Sequence, residues 1–399
     1  MKDNANAPDR VDFAHAIAPV SPETFFAEYF EQKPLVIRRD DPGYFGALLS
    51  LADIDHVLTR QLIPAEEIQL VQKGRSFEAE DYLLPSGHAD PVRVVKCFAE
   101  GATVVLPGLQ KRLPNLAAHC RSLETVFSCD LQTNIYFTPE GSQGFRTHYD
   151  SHDVIVLQIA GSKTWNIYES SASELPLRAQ AFNPDGFEPG ALIDTFTLHA
   201  GDMCYVPRGV VHDARATEEL SLHITTGLLA AHWIDLVVEA VSQLALKDVA
   251  FRRAMPPGYA GEGFDRTAAR KTFAELMQKA VAAIDADQTL DGFAEEFRRR
   301  RAPLVPGQLM QLFGSELIEP GTELRRRPDL IHAIGVTGDE VILSVHGAEV
   351  VFPAHAEVPL RDALTRPGFR VGDLAGDLDD EGQVVLARRL VREGVLMVG

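Results

Sequence analysis

A mainly β fold of antiparallel barrel or jelly-roll type, followed by a helical segment and a small α+β region, is what this 399-residue chain predicts. Three observations predict it. From about residue 67 to 228, short alternating or wholly apolar runs are punctuated by Gly and Pro, the pattern of many short antiparallel strands. Near residue 230 the apolar period lengthens to that of a helix. From Pro303 onward, short helical and strand-like stretches mix. A chain of this length exceeds one ordinary core, so the expected division is a β domain over 1–229, a helical domain over 230–302 and a small α+β domain over 303–399.

The elements follow in order. Residues 1–12 are polar and read as disordered. In SPETFFAEYFEQKPLVIRR (21–39), Ser21 is an N-cap, Pro22 occupies the first helical position and Glu23 the first turn. Phe25, Phe26, Tyr29 and Phe30 share a helical face, and Pro34 ends the helix before the strand LVIRR. SLADIDHVLTR is a second helix. The runs IQLVQ, VRVVKCF, ATVVLPG, LQTNIYFT, HDVIVLQIA, KTWNIY, DTFTLHAGDMCYVPRG and SLHITTGL read as strands. In the helical part, Ile234, Val237, Val241, Leu244 and Val249 recur at helical spacing, and RTAARKTFAELMQKAVAAIDA and LDGFAEEFRRRR continue the pattern. DEVILSVHGAEVVFPAHA and VVLARRLVREGVLMVG supply strands and a helix at the end.

Composition narrows the function. The formal charge of −19 opposes a broad grip on nucleic acid, so no direct DNA binding is expected. The basic runs FRRRR (297–301) and LRRRP (324–328) read first as solvated element ends, with contact to RNA or an acidic partner as the alternative. Cys97, Cys120, Cys129 and Cys204 are scattered without a CxxC pair, which argues against structural zinc and for reduced thiols. The polar start MKDNANAPDR lacks a signal-peptide core and no apolar run reaches membrane-spanning length. A soluble, cytoplasmic protein without a membrane partner is expected.

The chemistry lies in FRTHYDSHDVIVLQIAGSKTWNIY and GDMCYVPRGVVHDA. His148 and Asp150 are two residues apart, and on an extended chain such residues point to one side. With His212 from another strand they form a 2-His-1-carboxylate face for Fe(II), the face that a double-stranded β-helix supplies while leaving coordination positions open. An HxD alone recurs by chance, and His152 shares the same side. The second half decides: His212 follows a Gly-Asp turn, an apolar strand and a Pro-containing turn. Lys163, at the start of a strand after a Gly turn, suits the far carboxylate of a keto acid chelated at that iron. Asn134, on the strand before the HxD, can donate to the same molecule, and Tyr136 and Thr225 are further candidates. Arg208 reads as shaping its turn or pairing with an acid.

These residues resemble the JmjC/cupin-type (cupin-4) ribosomal oxygenases, nearly end to end. FFAEYFEQKPLVIRR resembles the family's FxxxYWxxKPLxIR, with Phe30 in place of the Trp. His148, Asp150 and His212 fall on its iron triad, Lys163 on a cosubstrate lysine and Asn134 on a cosubstrate-pocket asparagine. MCYVPRGVVHDA resembles LYxPRGxxHxA, and SLHITTG resembles SLHLT. The resemblance implies an Fe(II)- and 2-oxoglutarate-dependent oxygenase using O2, hydroxylating an arginine or histidine of a ribosomal protein. It also implies that 230–302 is a dimerisation module, making the protein a homodimer, and that 303–399 is winged-helix-like. His152 has no place in the family pattern, and no motif for gripping a ribosomal-protein loop is recognisable. A metal cupin without a keto acid, an oxygenase of a peptide natural product or small molecule, a demethylase and a non-catalytic scaffold are the competing readings, since fold alone does not decide function.

Overall fold

The computed structural model describes residues 10–169 and 174–399. It divides into two compact units, 1–230 and 231–399. The first nine residues lie outside the described part. Residues 10–12, expected to be disordered, are ordered: Val11 is buried and its carbonyl accepts from His119 Nδ1 at 3.0 Å, while Asp12 caps the first helix.

Among its described residues the first unit has nine strands: β1 (Leu35–Ile37), β2 (Gln69–Gln72), β3 (Arg75–Ser76), β4 (Thr103–Pro107), β5 (Asp130–Thr138), β6 (Asp153–Tyr168), β7 (Leu192–His199), β8 (Met203–Val206) and β9 (Val211–Leu229). All pairings are antiparallel, in the order β1-β8-β6-β9-β5-β4-β2-β3, with β7 also on β6. The two long strands β6 and β9 pair along most of their length and carry the other strands on their flanks. This is an antiparallel core of the jelly-roll type that the punctuated apolar runs predict. The runs HDVIVLQIA and KTWNIY belong to one strand, because the Gly161 turn between them is a bulge and not a hairpin.

The strands are accompanied by the helices α1 (Phe13–Ile17), α2 (Pro22–Glu28), α3 (Leu51–Arg60), α4 (Ala79–Tyr82), α5 (Pro91–Ala99) and α6 (Pro114–Phe127). Ser21 and Ser50 cap α2 and α3, and Ser50 with Asp53 forms a reciprocal capping box, each cap contributing about 1 kcal/mol. Helix α2 stops at Glu28, short of Pro34. VRVVKCF is helical, not a strand: Asp90 accepts from the amides of Val92 and Arg93, Pro91 sits at the first position, and Val94 and Cys97 face the core. Cap and amphipathic spacing outweigh the β preference of its valines. A large apolar cluster fills the space between these helices and one face of the strands, and a smaller one of Val154, Val156, Trp165, Ile167, Phe196, Leu198, Cys204 and Val206 lies on the other face. All four cysteines are free and buried.

The second unit contains α7 (Trp233–Lys247), α8 (Thr267–Ala283), α9 (Ala286–Arg300), α10 (Gln308–Ser315), α11 (Glu357–Thr365) and α12 (Asp380–Arg392). Two three-stranded sheets join them. In one, β10 (Glu323–Arg326) pairs with both β14 (Gly368–Arg370) and β15 (Leu396–Val398). In the other, β11 (His332–Thr337), β12 (Glu340–Val345) and β13 (Ala348–Pro353) form a meander. Its core draws on β10, β12, β13, α11 and α12. Helices α7 and α8 keep large apolar side chains in the open, Trp233 and Val281 being 79% and 78% exposed. No described helix is long and apolar enough to cross a membrane.

Candidate metal centre

His148, Asp150 and His212 converge at one end of the jelly roll, one potential ligand atom from each lying within 4.8 Å of the others. His148 Nε2 is 3.9 Å from Asp150 Oδ1, and His212 Nε2 is 3.8 Å from Asp150 Oδ2. The sequence places His148 and Asp150 on a strand; they lie instead in the irregular lead-in to β6. There His148 forms an isolated bridge with His212, through amide-to-carbonyl bonds of 3.0 and 2.8 Å in the two directions. That bridge, more than strand periodicity, brings the two imidazoles together.

Both rings are oriented from behind. His148 Nδ1 is 2.7 Å from the Arg146 carbonyl and His212 Nδ1 2.9 Å from the Val210 carbonyl. A carbonyl can only accept, so each Nδ1 carries the proton and each Nε2 turns its lone pair toward Asp150, as a metal ligand requires. Burial, and then the neighbouring His148, push the His212 pKa down to about 4, keeping it neutral. Two imidazoles and a carboxylate are a donor set for a divalent first-row metal.

A cavity of about 240 Å³ opens from this group and includes every residue that the sequence assigns to metal or cosubstrate: Asn134, Tyr136, His148, Asp150, Lys163, His212 and Thr225. Asn134 and Thr225 are directly opposed across β5 and β9, as are Tyr136 and His223 one step along. Lys163 lies 5.9 Å from the Tyr136 ring and is 5% exposed. Burial alone pulls its pKa down to about 7. Among the described residues it has no carboxylate partner, so its charged form is costly there unless an anion joins it.

Lys163 reaches this face only because of the bulge. Before it, Val154 and Val156 face the small apolar cluster; after it, odd-numbered Trp165 and Ile167 do. Register shifts at Gln158/Ala160 and Gly161/Lys163 reverse the alternation, so the lysine joins the cavity side. Gly161 has φ +61°, and a Cβ there would lie 1.7 Å from the Leu220 carbonyl oxygen, so no other residue fits.

Several cavity residues, Trp165 and His223 among them, carry no role in the sequence reading. Trp165 stacks on His212 at 5.8 Å, and His223 stacks on Tyr136 at 4.9 Å; Trp165 Nε1 and His223 Nδ1 are buried without a protein partner. Desolvation, reinforced by Lys163, keeps His223 well below the usual histidine range. Two-residue spacing from Lys163 and from Thr225 would have found both. His152, the unassigned histidine, is outside the ligand group and lays its ring on Gly227, where a Cβ would come within 2.7 Å of it. Arg208 does pair with acids, Glu31 and Asp153.

Residues 109–236 match the family model described as a JmjC domain. The chain is similar to the bifunctional lysine-specific demethylase and histidyl-hydroxylase NO66 of Drosophila erecta, 31% identical over 328 residues, covering 76% of this chain and 49% of the relative. It is similar also to mouse ribosomal oxygenase 2, 28% identical over 352 residues, covering 84% of this chain and 72% of the relative. The chain spans about half the length of the NO66 relatives it matches. Among solved structures, Escherichia coli ycfD aligns with a TM-score of 0.55 at 17% identity, over 95% of this chain and 98% of that one. The same protein in complex with cobalt and 2-oxoglutarate aligns with a TM-score of 0.52 at 16% identity, over the same shares.

Proposed function

Because this chain carries a JmjC domain homologous to those of the ribosomal oxygenases, we propose that it is an Fe(II)- and 2-oxoglutarate-dependent oxygenase that hydroxylates a protein side chain. The observation that carries the reading is the pairing of two features in one cavity. A histidine-histidine-aspartate group with both Nε2 atoms turned inward stands at one end, and an unpaired buried lysine at the other. A metal cupin without a keto acid has no use for that lysine, whose burial is costly without an anion.

In this reading His148, Asp150 and His212 hold the metal, and Lys163 receives the distal carboxylate of 2-oxoglutarate. Asn134, Tyr136 and Thr225 line the path between. Bound Fe(II) with 2-oxoglutarate and O2 supplies the oxidising chemistry, in which the keto acid goes to succinate and CO2 and one oxygen atom enters a substrate C–H bond. The chain fixes ligand direction, neutralises the cosubstrate's far end and keeps water from the apolar wall built by Trp165 and Val154. The names of the relatives, histidyl-hydroxylase and ribosomal oxygenase, favour a histidine of a ribosomal protein as substrate, and the family resemblance of the sequence adds arginine as the other candidate. They also include lysine demethylation, which hydroxylation of an N-methyl carbon would accomplish with release of formaldehyde.

We also assign 230–302 to homodimerisation, on the exposed apolar faces of α7 and α8, and 303–399 to a winged-helix-like domain, on its mix of helices and short antiparallel strands. The four unpaired cysteines suit a reducing, cytoplasmic setting.

Calorimetry of 2-oxoglutarate with the Mn(II)-loaded protein, beside Lys163→Ala and His212→Ala, tests the reading. Binding that weakens strongly in both variants is expected. A folded, metal-loaded wild type that does not bind 2-oxoglutarate sinks the cosubstrate assignment. Mass spectrometry for a gain of one oxygen in cellular proteins, set against a formaldehyde assay, then separates stable hydroxylation from demethylation.

A further inference from the structure

Behind the candidate ligands lies a buried ionic cluster that the proposed chemistry does not use. Arg208 Nη1 bonds Glu31 Oε1 and approaches Asp153 Oδ2 at 3.3 Å; Tyr205 OH donates to Asp153 Oδ1 at 2.6 Å; and the Glu31 amide donates to Tyr205 OH at 2.8 Å. Arg208, Asp153 and Tyr205 are all nearly inaccessible. Four polar groups held together in an apolar surrounding are costly to assemble, and such a cluster contributes less to stability than to holding one arrangement.

The arrangement it holds is that of the ligands. Asp153 opens β6, three residues after Asp150. Arg208 sits in the turn closed by the Val210 amide on the Pro207 carbonyl at 3.2 Å. Within that turn the Gly209 amide donates to the Asp150 carbonyl at 2.9 Å, and the Val210 carbonyl receives His212 Nδ1–H. The amide that fixes the Asp150 backbone and the carbonyl that aims His212 therefore come one and two residues after Arg208. Its side chain is tied in turn to the strand that follows Asp150. Glu31 adds a third piece of chain. It has φ +57° immediately beyond α2 and precedes β1, which pairs with β8. The N-terminal segment, outside the matched 109–236, thus reaches the scaffold of the metal end.

We propose that Arg208, braced by Glu31, Asp153 and Tyr205, is a positioning residue that sets the angle between Asp150 and His212 at the metal. The inference rests on the oxygenase reading only as far as the metal centre. Its prediction concerns coordination geometry and affinity, and not folding alone.

Co(II) is the probe, titrated into the full-length protein while its visible d–d absorption is followed. Arg208→Lys keeps the charge but not the fork of donors, and Glu31→Gln removes one acid at the half-exposed rim of the cluster. Both should bind Co(II) about 10-fold more weakly, the low end for residues behind metal ligands. The d–d band should shift or lose intensity, with the far-ultraviolet dichroism of wild type retained. Tyr205→Phe, which removes a single hydroxyl, should show the same spectral change at smaller amplitude and guards against a variant that fails to fold. Folded variants with wild-type Co(II) spectrum and affinity, differing only in melting temperature, would overturn the inference and leave the metal centre intact. A folded wild type that binds no Co(II) would overturn the metal reading and this inference with it.

Discussion

The two ends of the cavity are built in opposite ways. At the metal end, His148 and Asp150 sit on irregular backbone and remain partly exposed, and their aim depends on carbonyls and a tight turn. At the deep end, Lys163 lies in the paired part of β6, walled by Tyr136, Trp165 and His223, and is almost wholly inaccessible. A site that must admit a large, variable partner keeps its open side on loops. A site that must always accept the same small anion can be rigid and closed. In the oxygenase reading, the difference separates recognition of the substrate from recognition of the cosubstrate within one cavity.

The largest effect expected is at the open end. Asp150→Ala or His212→Ala should reduce metal-dependent succinate formation about 100-fold or more, since the residues behind such ligands already cost 10- to 100-fold. For Asp150→Ala the melting temperature of the metal-free protein should move little, because that side chain is partly exposed and outside the core, whereas His212→Ala also removes a buried ring stacked on Trp165. A metal-free protein that unfolds without Asp150 would erase the contrast between the two ends.

Next comes Lys163→Met, with the opposite signature. Loss of the cation should raise the KM for 2-oxoglutarate about 100-fold, as expected for breaking a buried charge pair. The protein without cosubstrate should become more stable, by about 1 kcal/mol or more, because a buried cation lacking its anion has been replaced by an apolar chain of similar volume. Thermal melts and steady-state kinetics on the same preparation check both halves. A loss of stability in the variant would mean that the lysine is satisfied within the protein.

The pH dependence sharpens the same point. Burial lowers the Lys163 pKa to about 7, whereas the unfolded chain keeps its lysine near 10.4. Between those values the unfolded chain holds more protons, so this group makes the cosubstrate-free protein less stable as pH falls from about 10 toward 7. Binding of a dicarboxylate favours the charged lysine. Above pH 7 it should therefore take up about one proton and weaken as pH rises, a trend absent from Lys163→Met. Calorimetry in buffers of different ionisation enthalpy measures the uptake directly.

The smallest effects belong to the wall between the ends. Asn134→Ala and Thr225→Ala each remove at most one hydrogen bond to the cosubstrate, about 1 kcal/mol, or roughly a 5-fold rise in KM. An effect as large as that of Lys163→Met would show that the wall, and not the cation, defines the deep end.

Much of this site is legible in the sequence because its spacing is local. Two residues on extended chain point one way, which links His148 with Asp150, and Asn134 with Tyr136, before any strand is assigned. The jelly roll is legible from punctuated apolar runs. What the sequence conceals depends on contacts far along the chain. The bridge from His148 to His212, the helix formed by VRVVKCF over a cap at Asp90, and the order at Val11 imposed by His119 all belong to that class. Trp165 and His223 were within reach of the same two-residue rule, but tryptophan and histidine in a strand are most simply read as core. Arg208 could be read as pairing with an acid. That one acid would come from residue 31 has no local signal.

The Gly161 bulge gives β6 a property that substitution alone does not reveal, namely a phase. The residues upstream count the cavity side on even numbers and those downstream on odd, and the two counts meet within a few residues. Removing one residue between Gln158 and Ser162 would restore uniform alternation and still leave Lys163 and Trp165 inward, because the lost residue is the one that reversed the count. Straightening the bulge at constant length would do the opposite, turning Thr164 and Asn166 inward and making a cationic chamber neutral with no change of residue type on either side. Descendants of this chain can therefore shorten β6 at the bulge and keep the cation, whereas replacing the bulge by regular strand of the same length would rewrite the whole wall at once.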